Sequence, residues 1–262
     1  MHPILFQLGS FHIYAYGFFL VVGFCASVIL FALKIRKSDI NLPLGNAADL
    51  FFYTVLSGFL GSRILFILIN FDVYREHPLQ MFKIWEGGLV FYGGLIPAAM
   101  VAFGYLRWHR LPVWKLADLI SPLIALGLSF GRIGCFFAGC CYGRETSLPW
   151  AVVFKDPDSL ARLNVPLHPT QLYDAVNGLA IFFFLSWMSK RKTFDGQIFW
   201  LFVFLYSITR FFIEIFRGDQ RGFLFGDLLS TSQGIGILLA ISALFMLFYM
   251  RKTHQRDKNG CS

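Results

Sequence analysis

Phe11 to Leu33 reads FHIYAYGFFLVVGFCASVILFAL, a run without a single Asp, Glu, Lys or Arg. At ~1.5 Å of rise per residue such a helix is long enough to cross the ~30 Å hydrocarbon core of a bilayer. The run is too long for the apolar part of a secretory signal, and Met1 to Ser10 carries no Lys or Arg ahead of it. The segment is therefore expected to stay in the membrane. Working outward, six further apolar runs lie near residues 47–69, 88–106, 114–134, 169–189, 197–216 and 230–250. The composition agrees, with 56% hydrophobic, 18% aromatic and only 15% charged residues and a mean hydropathy of +0.61. Those values exclude an ordinary soluble domain. The expectation is an all-α integral membrane protein with about seven transmembrane helices, a single polytopic domain over residues 1–262.

The net charge of +8 does not point to nucleic acid, because the basic residues punctuate the apolar runs and form no patch. Thirteen of the 23 Lys and Arg flank alternate runs on one side: Lys34, Arg36, Lys37, Arg107, Arg110, Lys115, Lys190, Arg191, Lys192, Arg251, Lys252, Arg256 and Lys258. Seven lie on the other side and three, Arg63, Arg132 and Arg210, fall inside runs. Since basic residues concentrate in cytoplasmic loops, the N-terminus is expected outside and the C-terminus inside. The largest outer segment, about 135–167, contains Pro149, Pro157 and Pro166 and is read as a small extracytoplasmic cap. No inverted internal repeat of the transporter kind is visible.

An ionisable residue inside a membrane is costly and marks a candidate site. With this topology Arg63, Arg132 and Arg210 lie toward the outer ends of their helices, while Tyr16, Tyr92, His168, Gln171 and Asp174 lie near the outer starts of others. A transporter would spread polar groups through the midplane; here they crowd the outer third. Snorkelling of the arginines to the surface is the competing account. Tyr206, Arg210, Glu214 and Arg217 follow one another at i, i+4, i+8 and i+11, one face of a helix. Such a stripe could be a structural ion pair alone. A second arginine, Arg132, at the same depth on another helix adds net positive charge suited to a phospholipid phosphate, which guanidinium grips bidentately. The segment Trp85 to Gly94 holds two Gly-Gly pairs, which allow backbone to approach a neighbour or a ligand, and is read as an irregular start to the third span.

Gly131 to Gly143 (GRIGCFFAGCCYG), followed by Pro149-Trp150 and Phe154, resembles the signature loop of the prolipoprotein diacylglyceryl transferases. Further blocks occur in that family's order. His168 to Tyr173 resembles its HPSQLYE segment, Tyr206 to Arg217 its YxxxRxxxExxR helix, Ser230 to Gln233 its SxxQ segment, and Trp85 to Leu95 its WxGGxxFHGGL block apart from one position. The resemblance implies a cavity opening to the outer leaflet of the bacterial cytoplasmic (inner) membrane. There phosphatidylglycerol and the lipobox peptide of a pre-prolipoprotein would meet among membrane lipid. It implies that Arg132 and Arg210 hold the phosphate, that Glu214 orients Arg210, and that Tyr92 takes part in catalysis. It also implies that Tyr16, Tyr206, Gly143, His168 and Gln171 line the lipid site, with no metal or organic cofactor and no nucleic acid.

Three departures from the family pattern matter: its histidine in the FHGGL block is Tyr92, its signature asparagine is Cys135 and its signature glutamate is Cys140. A free thiol has a pKa of ~8.5, lowered further beside arginines, so loss of the histidine does not forbid thiolate chemistry. Roles for Cys135, Cys140, Arg217 and Arg63 stay open. The cluster Cys135, Cys140 and Cys141 admits three readings: small apolar fillers, a disulfide or metal site, or a nucleophile lacking an identified base. C-x4-C-C is not a common zinc spacing. The leading functional expectation is diacylglyceryl transfer to a lipobox thiol. The alternatives are a same-fold paralogue with another acceptor or glycerophospholipid, a non-catalytic lipid-binding protein, and a transporter.

Overall fold

The structure, a computed structural model, describes residues 2–8, 11–40, 42–76, 78–83, 88–218, 223–224 and 229–260. The chain gathers into two compact units, Met1–Ser38 with Trp114–Ser262, and Asp39–Val113. The first unit opens with an antiparallel hairpin, β1 (Ile4–Leu8) and β2 (Phe11–Tyr14), that feeds directly into α1 (Ala15–Ile35). The first apolar run is thus a short strand followed by a helix, not helix throughout. Pro3 explains part of this, since its carbonyl accepts the Ala15 backbone N–H at 2.8 Å and ties the hairpin to the helix start.

The second unit contains α2 (Leu44–Ile69), a short α3 (Phe71–Glu76) and α4 (Phe91–Trp108). Gly93 and Gly94 do bring backbone close to a neighbour: a methyl group on Gly94 would meet the Gly58 carbonyl at 2.9 Å. This is small-residue packing of α4 on α2. The first Gly-Gly pair lies partly outside the described residues, as do Trp85 and Glu86. Arg63 in α2 is buried, and its guanidinium donates to the carbonyls of Gln80 (3.0 Å), Met81 (3.1 Å), Gly88 (3.2 Å) and Lys83 (3.3 Å). It also lies over the Phe66 and Tyr74 rings. A buried cation that satisfies four carbonyls is holding a loop, and it does not snorkel.

In the first unit α5 (Val113–Ala138), α6 (Thr170–Met188), α7 (Gln197–Glu214) and α8 (Thr231–Gly260) complete the helices. Among the described residues six helices are long and apolar enough to cross a membrane: α1, α2, α5, α6, α7 and α8. Each falls on one of the runs anticipated from sequence; α4, interrupted by Pro97, falls on the remaining run. The core of the first unit is Ala125, Ile181, Leu185, Ile198 and Phe202, where α5, α6 and α7 meet. α5 is longer than expected and carries Cys135 inside it, so the segment between α5 and α6 begins at Gly139. Phe154, Ala161 and Leu167 pack there with Phe136 of α5. At the start of α8, Ser230 and Gln233 cap each other reciprocally, each side chain accepting the other's backbone N–H at 3.2 and 3.0 Å.

The far end of the α5–α7 bundle is pinned by Asp118, whose carboxylate accepts the backbone N–H groups of Gly196 (2.9 Å) and Phe199 (3.0 Å) and pairs with Lys192 (3.2 Å). It caps α7 from another helix. Burial alone would lower the Lys192 ammonium, but hydrogen bonding with Asp195 and attraction to Asp118 outweigh it and hold it above its ordinary range. This contribution is fully present below the ordinary lysine pKa and is lost only as the pH rises through the raised one. Asp118→Ala is expected to cost about 2–4 kcal/mol, because it strands two backbone donors and takes away one of the two carboxylates paired with Lys192. An unchanged thermal midpoint of the detergent-purified variant would show that this cap contributes nothing to the fold.

Candidate active site

Two antiparallel helices can approach closely only where side chains are small, and α5 and α6 do so at Gly178. A methyl group there would come within 3.0 Å of the Ala125 carbonyl and 3.1 Å of the Ser129 side chain. Ser129 Oγ donates to the Ala175 carbonyl at 2.7 Å and locks the crossing. One turn further along, Arg132 on α5 faces Asp174 on α6. A single oxygen, Asp174 Oδ2, takes three guanidinium groups: Arg132 Nε at 3.2 Å, Arg210 Nη1 at 3.3 Å and Arg217 Nη1 at 3.9 Å. Glu214 Oε2 takes Arg210 Nη2 at 2.6 Å and Arg217 Nε at 3.7 Å. Three arginines against two carboxylates leave one net positive charge.

The three arginines are not equivalent. Arg217 has 2% of its side chain exposed, whereas Arg210 has 12% and Arg132 20%. Asp174 engages Arg132 through Nε alone; among the described residues its two terminal nitrogens meet no protein acceptor within ion-pair reach. They present a ready fork for an anion.

Arg217 lies just beyond α7, where its backbone pairs with Gly143 in an antiparallel bridge. Gly143 N–H donates to the His168 carbonyl at 2.9 Å, and a side chain at Gly143 would run into His168 and Phe216. Close approach of three strands of backbone is what requires glycine here. His168 Nδ1 and the Tyr173 hydroxyl are 3.2 Å apart, and that hydroxyl also accepts from Trp150 Nε1 at 2.8 Å. Gln171 is fully buried and donates to the Cys140 carbonyl at 2.8 Å; Thr170, equally buried, donates to the Cys141 carbonyl at 2.9 Å. Both side chains hold the thiol-bearing loop. Hydrogen bonds with Cys135 and Cys140 hold the Cys141 thiol below its ordinary range, with Arg217 adding to the effect. The same sharing pushes Cys140 upward. Tyr16 touches α5 at Gly134, where a methyl group would lie 3.1 Å from Tyr16 Cα, next to Cys135.

Residues 3–249 match the family model described as prolipoprotein diacylglyceryl transferase. The chain belongs to the prolipoprotein diacylglyceryl transferase family. It is 36% identical over 246 residues to the phosphatidylglycerol–prolipoprotein diacylglyceryl transferase of Clostridium tetani, covering 94% of this chain and 96% of that protein. With the transferase 2 of that name from Clostridium perfringens it shares 37% identity over 262 residues, 99% of each chain. With that of Geobacter sulfurreducens it shares 34% over 262 residues, 98% and 97% of the two chains. Family and helices together make this a multi-pass membrane protein.

Of the residues singled out from sequence, Arg132, Arg210, Glu214 and Arg217 form one network, and Gly143, His168, Gln171, Cys135 and Cys140 stand around it. Tyr206 lies one turn before Arg210 and stacks on Phe202, with ring centroids 5.8 Å apart. Arg63 and Tyr92 belong to the other unit, where Arg63 holds a loop and Tyr92, 45% exposed, sits in the first turn of α4. Asp174, the centre of the network, received no role in the sequence argument. The available signal was its place directly after His168 to Tyr173, at the last position of the prolipoprotein diacylglyceryl transferase segment HPSQLYE. Asp174→Ala leaves three guanidinium groups facing one carboxylate and is expected to cost about 3–5 kcal/mol. Asp174→Glu should keep most of that stability. Equal thermal midpoints for Asp174→Ala and the parent would show that the network does not depend on this oxygen.

Proposed function

We propose that this chain transfers the sn-1,2-diacylglyceryl group of phosphatidylglycerol to the lipobox cysteine thiol of a pre-prolipoprotein and releases glycerol 1-phosphate. The site would face the outer leaflet of a bacterial cytoplasmic membrane, with the N-terminus outside and seven spans. The names of the relatives support the donor and the acceptor. The observation that carries the reading is Arg132: a guanidinium anchored through Nε on a buried carboxylate, with its terminal fork open and one net positive charge behind it.

The acceptor thiol gives up its proton to solvent, its sulfur attacks the glyceryl carbon that bears the phosphoryl oxygen, the C–O bond breaks, and the electron pair leaves on glycerol 1-phosphate. Charge develops on the departing phosphate oxygen, so donors aimed there stabilise the transition state more than the ground state. Arg132 supplies the fork. Arg210, held between Asp174 and Glu214, supplies the second cation with its orientation fixed. Arg132→Ala and Arg210→Ala are each expected to reduce glycerol phosphate release in a membrane assay by at least about a hundredfold, the range seen when one such donor is removed. Glu214→Gln should lose less than Glu214→Ala. Full activity of either arginine variant would overturn these roles.

Tyr92 takes the position of the family histidine and acts in this reading as a hydrogen-bond donor to a phosphate or ester oxygen, because a phenol is a poor proton acceptor at neutral pH. Tyr92→Phe should lower the rate about ten- to a hundredfold, the loss of one hydrogen bond to a charged group. A dead Tyr92→Phe beside an active Tyr92→His, measured across neutral pH, would make Tyr92 the base instead. One observation favours a second reading, a paralogue with another acceptor: thiols stand where the family has asparagine and glutamate. Restored growth of a strain depleted of its own transferase, with lipid found on lipobox cysteines, decides between the two.

A further inference from the structure

The sulfur atoms of Cys135, Cys140 and Cys141 all lie within 4.8 Å of one another, and none of the three is in a disulfide. Spacing along the chain does not suggest this; the fold creates it. Cys135 sits in the last turn of α5, and the Cys140 N–H folds back to its carbonyl at 3.2 Å. Gly139 then takes φ +76° and Cys141 φ +62°, a left-handed conformation that a residue with a side chain seldom adopts. Those turns gather the adjacent Cys140 and Cys141 beside Cys135. The fully buried Thr170 and Gln171 hold the carbonyls of both. A thiol that merely fills space needs neither a left-handed turn nor buried donors behind its carbonyl.

Three thiolates around one tetrahedral zinc at ~2.3 Å would have their sulfur atoms about 3.8 Å apart, within a small side-chain adjustment of this arrangement. Among the described residues no histidine, carboxylate or further thiol joins the group within the same reach. A three-ligand site of that kind keeps its fourth position open. Three thiolates and a divalent cation carry one net negative charge, which the adjoining Arg217 and Arg132 favour.

We propose that Cys135, Cys140 and Cys141 bind one thiophilic divalent cation of the zinc class, and that its open position takes the acceptor thiol. The acceptor gives up its proton to solvent on binding, because a coordinated thiol is deprotonated outright. Its sulfur then forms the C–S bond as the C–O bond breaks, with the electron pair and a solvent proton going to glycerol 1-phosphate. The neutral thioether is a weaker ligand and departs. No oxidant or reductant enters. The cation takes over the work of a base in a chain that carries Tyr92 at the histidine position. The acceptor half rests on the transferase reading; the cation site does not.

Detergent-purified protein, reduced and stripped with a chelator, is titrated with Co²⁺ and then Zn²⁺. One equivalent of Co²⁺ should give a near-ultraviolet sulfur-to-metal charge-transfer band that Zn²⁺ abolishes. Cys135→Ser, Cys140→Ser and Cys141→Ser should each abolish or strongly weaken the band, and Cys25→Ser should leave it intact. Gln171→Ala, which removes the support behind Cys140, should weaken binding about 10- to 100-fold. A synthetic lipobox peptide should shift the band and its cysteine-to-serine counterpart should not. No band, a band indifferent to all three serine variants, or a disulfide between two of these cysteines in unreduced protein would overturn the site. A band that the cysteine peptide fails to shift would overturn the acceptor role. Full transfer by metal-free protein would sink the acceptor half of this inference and leave the proposed function standing. Cation and peptide binding without transfer would do the reverse.

Discussion

One carboxylate oxygen, Asp174 Oδ2, with three guanidinium groups around it, is the constraint on which the first unit depends. Arginine is expensive in an apolar bundle unless paired, and a buried carboxylate is equally so. Placing both on adjoining helices removes two penalties with one contact. The close crossing at Gly178, the Ser129–Ala175 hydrogen bond and the stripe on α7 all serve that meeting. The pairing is incomplete by one charge, and that remainder makes the cluster a receptor for an anion instead of a neutral strut.

The helices were legible in the sequence because an apolar run of the required length has few other uses. The stripe Tyr206–Arg210–Glu214 was legible for the same reason, since helical periodicity is a local rule, whereas Arg217, expected on the same helical face, joins the network from beyond the end of α7, where its backbone bridges Gly143. What escaped was contact between elements distant in the chain. Asp174 gains its importance only from Arg132 and Arg210, and no spacing within α6 announces that. Arg63 resembled Arg132 in every local respect, yet four carbonyls near residues 80–88 claim it. The need for glycine at position 143 comes likewise from distant elements, since a side chain there would meet His168 and Phe216. The hairpin over residues 4–14 was missed because a short strand and the start of an apolar helix share a composition.

Thr170 and Gln171 show how the first turn of a helix can serve something other than the helix. Both side chains turn away from α6 to the carbonyls of Cys141 and Cys140, so the chain between α5 and α6 is held by the helix it precedes. The bridge between Gly143 and Arg217 adds the end of α7 to the same assembly. Thiols, arginines and carboxylates are thereby placed by a common set of backbone contacts, and a shift in one is felt by the others.

The order of the charged partners along the chain also bears on how the protein is made. Arg132 emerges from the ribosome with α5, and Asp174 follows 42 residues later with α6. At about 5–20 residues per second that is a wait of roughly two to eight seconds, during which α5 must be accommodated with its arginine unpaired. The position of Arg132 near the end of α5 eases this, because a cation close to a helix end can reach the interface. Insertion of α6 then supplies the counter-charge. Once both helices are in place, α5 cannot leave α6 without exposing the charges of this salt bridge to lipid.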